Sequence, residues 1–279
     1  MNQLITTVER TTSPDDSASI RFRCNICGDY SRSSLQTLRN REAVSCETCR
    51  STLRFRAVIN GLSIGLFGRQ IALPDFPIRR DLKGIGLSDS DVYAKGLEQK
   101  FTYTNTFLHT SPRLDITDID AAPFKEADFV IASDVFEHVQ PPVDIAFKNV
   151  RRLLKTGGVF VFSVPYVPGT TAEHFPDLHD YKIDLRDGRF VLTNTTIDGR
   201  TQEFQDLVFH GGPGSTLEMR LFGFTDLVRH FRAAGFGDPT VLSFNAAQFG
   251  IDFTGEACSI PMIAHAIDGL EQSRGQASY

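Results

Sequence analysis

Ala127-Asp128-Phe129-Val130-Ile131-Ala132-Ser133-Asp134-Val135-Phe136-Glu137-His138-Val139, answered later by Lys155-Thr156-Gly157-Gly158-Val159-Phe160-Val161-Phe162-Ser163-Val164-Pro165, is the stretch that decides the fold of this chain. Two short, nearly all-apolar runs flank a segment whose apolar residues Val143, Ala146, Phe147, Val150 and Leu154 recur at helical spacing, which reads as a βαβ unit. Continuous apolar strands joined by a crossover helix imply a parallel sheet covered on both faces. Such sheets bind ligands at the carboxyl ends of their strands, and Ser133, Asp134, Glu137 and His138 stand at one of those ends.

The totals narrow the classes. A chain of 279 residues suffices for one large or two smaller domains, and 41% hydrophobic with 23% charged residues is the composition of a globular protein. The formal charge of −5 argues against a protein that grips nucleic acid through its phosphates. No run of about 18 apolar residues is long enough to span a membrane, and Met1 to Ser19 lack the regions of a signal peptide, so a cytoplasmic protein is expected. The 23 Phe residues read as core and pocket wall.

Cys24-Asn25-Ile26-Cys27-Gly28 and Cys46-Glu47-Thr48-Cys49-Arg50 are two Cys-x-x-Cys knuckles at the spacing of a tetrahedral four-thiolate zinc site, with Gly28 suited to the turn. Cys24, Cys27, Cys46 and Cys49 are the expected ligands of a structural Zn2+, because a ribbon this small has no core of its own. A redox dithiol pair is the bland alternative. Leu53 to Gly68 places Phe55, Val58, Ile59, Leu62 and Leu66 on one helical face and is expected to link the ribbon to the next domain. Arg50, Arg54 and Arg56 read as a solvated basic face, with a basic patch for an acidic partner as the alternative.

Leu82-Lys83-Gly84-Ile85-Gly86-Leu87-Ser88-Asp89-Ser90 reads as a strand, a Gly-rich turn and the start of a helix reaching from about Asp91 to Phe101. Tyr103 to Thr106 and Arg113 to Asp118 follow as a second and third strand end. Together these residues resemble the class I S-adenosylmethionine-dependent methyltransferases. Ile85 to Ser90 resembles the family's first glycine motif, Asp115 its adenine contact, Ser133 to Val139 its strand-four signature, and Lys155-Thr156-Gly157-Gly158 the turn before strand five. The resemblance runs from about Lys83 to Phe244, closing on Ala233-Ala234-Gly235-Phe236 and the strand after it.

The resemblance implies a Rossmann-like, doubly wound, mostly parallel α/β sheet with S-adenosyl-L-methionine held by Gly84, Gly86, Ser88, Asn105, Asp115, Ile116, Ser133, Asp134, Val135 and His138. It departs from the family where Gly84 replaces an acidic residue, Ser88 and Ser90 replace glycines, and Asn105 replaces the ribose-binding acid. Asp118 reads as a turn cap.

After strand five comes a polar insertion, about 166–222, far longer than an ordinary connection. It holds Glu173-His174-Phe175-Pro176-Asp177-Leu178-His179-Asp180-Tyr181, an alternating stretch from Arg189 to Asn194 turning near Asp198-Gly199, and Phe209-His210-Gly211-Gly212-Pro213-Gly214-Ser215-Thr216-Leu217-Glu218-Met219-Arg220. A neutral imidazole, with an ordinary pKa of about 6.5, suits removal of an acceptor's proton. His174, His210 and His138 are therefore the candidate bases, and Asp177, His179, Tyr181, Glu218 and Arg220 the candidate substrate contacts. A metal site built from His174, His179 and a carboxylate lacks a ligand spacing.

The expected organisation is a tail at 1–19, a zinc ribbon at 20–52, a linking helix and approach at 53–80, a methyltransferase domain at 81–265 and a tail at 266–279, with Cys258 assigned nothing beyond a last strand. The favoured reading is O-methylation of a small-molecule or saccharide acceptor. An RNA methyltransferase that uses the ribbon on its substrate, and a non-catalytic binding module, are the alternatives. The sequence leaves the oligomeric state open.

Overall fold

The computed structural model describes residues 19–210, 216–255 and 259–268. The expectations for the 1–19 tail up to residue 18, for Gly211 to Ser215, for Cys258 and for the end from residue 269 lie outside the described residues.

In chain order the elements are β1 (Ser19–Arg23), β2 (Tyr30–Ser34), α1 (Leu35–Arg39), α2 (Leu53–Phe67), β3 (Arg79–Leu87), α3 (Asp91–Lys100), β4 (Phe101–Thr106), β5 (Ala127–Ser133), α4 (Asp144–Leu153) and β6 (Leu154–Ser163). There follow β7 (Tyr166–Val167), β8 (Ala172–Glu173), β9 (Asp180–Arg186), β10 (Arg189–Thr195), β11 (Thr201–Phe204), β12 (Phe209–His210), β13 (Thr216–Leu217), β14 (Arg220–Gly223), α5 (Phe224–Ala234), β15 (Thr240–Val241) and β16 (Met262–His265).

The central sheet runs β15-β16-β6-β5-β3-β4. Strands β4, β3, β5 and β6 are parallel, while β16 is antiparallel to both of its neighbours. Alternation along β5 explains why its run is apolar throughout: Val130 and Ala132 join one buried cluster, with α4 and α5 residues, and Phe129 and Ile131 join another, with α2 and α3 residues. Four parallel carboxyl ends therefore meet on one edge of the sheet.

The expected third strand end is corrected. Arg113 to Asp118 forms no strand but only isolated bridges, Phe107 to Arg113 and Asp115 to Asp118. The reason is local: Asp115 Oδ1 accepts from the Thr117 amide at 2.9 Å, so the chain turns instead of extending. Helix α2, expected to link the ribbon to the next domain, lies against β6 and β16 as part of the cover of the sheet and meets the ribbon where Asn25 Nδ2 donates to the Arg56 carbonyl. Thr52 caps its start and Gly68, at φ +66°, ends it.

The four-cysteine segment is fused to that helix and the sheet domain. Phe22 packs on Gly250, Asn25 Nδ2 donates to the Arg56 carbonyl at 2.8 Å, and Arg56 donates to the Gly250 carbonyl at 2.9 Å. Arg56 is fully buried, so the expected solvated face is corrected at this position: its guanidinium donates to the carbonyls of Ser51 and Gly250 inside the fold. The insertion forms the three-stranded meander β9-β10-β11, the short pair β12-β13 and the short three-stranded sheet β7-β14-β8, with a small apolar cluster of Phe175, Leu192, Leu217 and Met219.

Candidate active site

At the carboxyl edge of the sheet lies a cavity of about 1380 Å3. Ligand pockets typically enclose about 300–1,000 Å3, so there is room here for a nucleoside-sized molecule and a second ligand together. Leu87 and Ser88 from the end of β3, Thr106 from β4, Ser133 and Asp134 from β5, and Pro165 after β6 form its floor. Asp115, Ile116 and Val135 also line it, and His138 and His210 stand on its wall.

Gly84, Gly86 and Asn105 do not line it. A Cβ on Gly84 would sit 2.1 Å from the Phe129 ring, and one on Gly86 would sit 2.0 Å from the Tyr103 hydroxyl and 2.5 Å from Asp89 Oδ2. These glycines are required by close packing within the sheet, and the free approach of a ligand does not explain them. Asn105 is occupied by the Asp89 backbone, accepting from its amide at 2.9 Å and donating to its carbonyl at 2.8 Å. Ser88 holds φ +59°, the left-handed conformation a glycine would otherwise supply, and Ser90 caps α3 through the Val92 amide.

Asp89 itself is completely buried beneath this turn. Tyr93 donates to Oδ1 at 2.9 Å and Tyr103 donates to Oδ2. Burial outweighs both donors and raises its pKa to about 7.

The four-cysteine segment supplies part of the cavity wall through Arg41 and Glu42, and α2 adds Arg54. One Arg41 terminal nitrogen lies 2.6 Å from each carboxylate oxygen of Asp134, and Arg54 stands 3.5 Å away. Asp134 takes φ +56° to present this carboxylate. Nothing local in the sequence joins Arg41 to a residue 93 positions later; the pairing exists only because the ribbon is folded onto the sheet edge. Within the ribbon, Cys24 and Cys49 sulfurs are 3.6 Å apart and those of Cys27 and Cys46 3.7 Å. Four sulfurs about 2.3 Å from one tetrahedral centre are separated by roughly 3.8 Å, so the set fits a metal ion.

The three candidate histidines share one network. His174 Nε2 lies 2.9 Å from Glu218 Oε1, and Glu218 Oε2 lies 2.9 Å from His210 Nε2. His210 Nδ1 is 3.1 Å from His138 Nε2, and His138 Nδ1 is 2.8 Å from the Leu217 carbonyl. Of these, His138 and His210 reach the cavity and His174 and Glu218 stand behind them. Burial lowers the His138 pKa, partly opposed by its bond to Leu217. Beside the pair lies Glu137, fully buried, which the strand-end position alone did not mark as a site residue; desolvation, added to by the Asp134 carboxylate, pushes its carboxyl far above the usual range.

The expected substrate contacts are largely displaced. Arg220 is fully buried and cannot reach an acceptor: Nε donates to Glu173 at 2.9 Å, and Nη1 to the carbonyls of Phe136 and Val139. It braces the Phe136–Val139 turn that carries Glu137 and His138. Asp177 is exposed and pairs with Arg200, while the His179 amide donates to Asn194 Oδ1. Neither lines the cavity. Tyr181 accepts from Gln140, a lining residue, and so stands one residue back from the rim.

Residues 84–162 match the family described as "Methyltransferase domain". The chain is also similar to solved structures: a sugar N-methyltransferase from Streptoalloteichus sp ATCC 53650 (15% identity, TM-score 0.40, 67% of this chain and 81% of that one) and the 1,6-didemethyltoxoflavin-N1-methyltransferase of Burkholderia thailandensis (15%, 0.42, 80% and 80%). A third is an amino pentose methyltransferase from Micromonospora echinaspora (12%, 0.41, 77% and 92%). Among curated proteins none matches. No helix among the described residues is long and apolar enough to cross a membrane. What the family match shows of this chain is a methyltransferase domain at residues 84–162, the segment that contains β5, α4, the end of β3 and most of β6.

Proposed function

We propose that the protein transfers the methyl group of S-adenosylmethionine to a hydroxyl oxygen of a small polar or saccharide acceptor bound in the 1380 Å3 cavity. The observation that carries this reading is the wall opposite the strand ends, where His210 meets the cavity with Glu218 hydrogen-bonded behind it. A carboxylate fixes the ring and tautomer of a neighbouring imidazole, the arrangement of an oriented proton acceptor. When bound, S-adenosylmethionine supplies a methyl group already activated by sulfonium charge. Ser88, Asp115, Ile116, Ser133, Asp134 and Val135 are the residues placed to hold it, with Arg41 and Arg54 bringing positive charge to the same floor. Positioning the acceptor and accepting its proton is the part left to this chain's histidines.

The four cysteines hold a structural Zn2+, which keeps Arg41 against Asp134. RNA is disfavoured by where the arginines of this end of the chain go: Arg23 pairs with Asp75, Arg39 with Asp252, Arg41 with Asp134 and Arg54 with Glu42. Calorimetric titration with S-adenosylhomocysteine and transfer of labelled methyl to polyhydroxylated small acceptors test the reading. His210→Ala and His174→Ala should both bind the demethylated cofactor normally, with turnover falling much further in His210→Ala. Equal and undiminished turnover in both would remove the base, and failure to bind the demethylated cofactor would remove the transferase.

A further inference from the structure

Glu137, His138 and His210 converge on a single point. His138 Nε2 and His210 Nδ1 are 3.1 Å apart, and Glu137 Oε1 is 3.8 Å from the first and 3.9 Å from the second. A triangle with those sides has its centre about 2.1 Å from each corner, within the roughly 2.0–2.2 Å at which imidazole nitrogen and carboxylate oxygen bind a divalent zinc-like ion.

The outer partners of the two rings support that geometry. A backbone carbonyl can only accept, so the contact with Leu217 puts the neutral His138 proton on Nδ1 and leaves a lone pair on Nε2. Glu218 accepts from His210 Nε2 in the same way, and its other oxygen is held by His174. The two ring nitrogens that face each other are then both lone pairs. Next to them the Glu137 carboxylate is fully buried, and neither of its oxygens has a hydrogen-bond partner. Buried carboxylates are ordinarily paired, hydrogen-bonded or bound to metal. A cation at the shared point would give the Glu137 carboxylate a partner, and a carboxylate or carbonyl on the far nitrogen is how metal-bound histidines are normally oriented.

We propose that Glu137, His138 and His210 bind one divalent first-row transition-metal ion, separate from the four-cysteine site, with Glu218 and Leu217 as positioning partners. Two imidazoles and a carboxylate suit manganese, iron, cobalt or zinc. Because both histidines line the cavity, the further coordination positions of the ion open onto it and suit an oxygen ligand. That this ligand is the methyl acceptor rests on the function proposed above; the ion site does not. Ion and proton contend for the same lone pairs, so the base role assigned to His210 belongs to the ion-free chain.

Full-length protein titrated with Mn2+, which has little affinity for thiolates, and followed by the paramagnetic resonance of the free ion should bind one Mn2+ per chain. Glu137→Gln and His210→Ala should abolish stoichiometric binding, and Glu218→Gln should weaken it about 10- to 100-fold. The Co2+ complex of the unmodified protein needs no variant: two paramagnetically shifted, exchangeable ring N–H resonances are expected, from His138 Nδ1 and His210 Nε2. Absence of stoichiometric Mn2+ and Co2+ binding, or binding that survives both Glu137→Gln and His210→Ala, overturns the proposal. No methyl donor or acceptor enters these measurements, so an inactive transferase that binds Mn2+ upholds the site, and an active one that does not refutes it.

Discussion

Replacing Asp89 with Asn should change how the stability of this protein depends on pH. The carboxyl is completely buried between Tyr93 and Tyr103, and its pKa in the folded chain is about 7, against an ordinary value of 3.8. A raised carboxyl pKa means that the folded state holds a proton which the unfolded chain has released. Its stabilising contribution is therefore fully present below the unfolded pKa, is lost steadily as pH rises, and is gone above the folded one. At 1.36 kcal/mol per unit the whole loss is about 4 kcal/mol, of which roughly 2.5 kcal/mol falls between about pH 5 and about pH 8. An amide cannot ionise, and it keeps an oxygen for one of the two tyrosines. Urea unfolding of both proteins at the two pH values isolates the effect, because every other titrating group appears in both curves. The wild type should lose about 2.5 kcal/mol more than Asp89→Asn on going to the higher pH. Equal losses in the two proteins, or a larger loss in the variant, would show that the two tyrosines outweigh burial and that Asp89 is ionised in the folded chain.

Three further outcomes follow from packing. Arg220→Met strands the carbonyls of Phe136 and Val139 and leaves Glu173 without its buried partner, so unfolding free energy should fall by about 3 kcal/mol, read by denaturant titration. Gly84→Ala drives a methyl group into the Phe129 ring between β3 and β5 and should cost at least about 1–3 kcal/mol by the same assay. Cys46→Ser should lower the zinc content of purified protein by one ion per chain, measured by elemental analysis, and should also weaken binding of S-adenosylhomocysteine because Arg41 is no longer held at the cavity.

What the sequence determined by itself is the part of the molecule governed by local periodicity. The apolar run at Ala127 to Ser133, the helical spacing from Val143 to Leu154 and the second run ending at Ser163 produced β5, α4 and β6, and the paired knuckles brought four sulfurs to one point, because both patterns repeat over a few residues. The cavity lining at Ser88 and at Ser133 to Val135 was legible for the same reason, because strand ends follow from strands, whereas Asp115 came from the resemblance and lies in a turn. Which side chains meet across the site was decided only by tertiary structure. Arg41 reaches Asp134 and His210 reaches His138 over 93 and 72 positions, and no spacing within one element encodes such a contact. Burial likewise reversed several assignments. Arg220 and Arg56 are charged residues that a sequence places at the surface, yet here each finds enough carbonyl oxygen to lie inside the fold, and Glu137 becomes a candidate ligand only when two histidines from separate segments close over it.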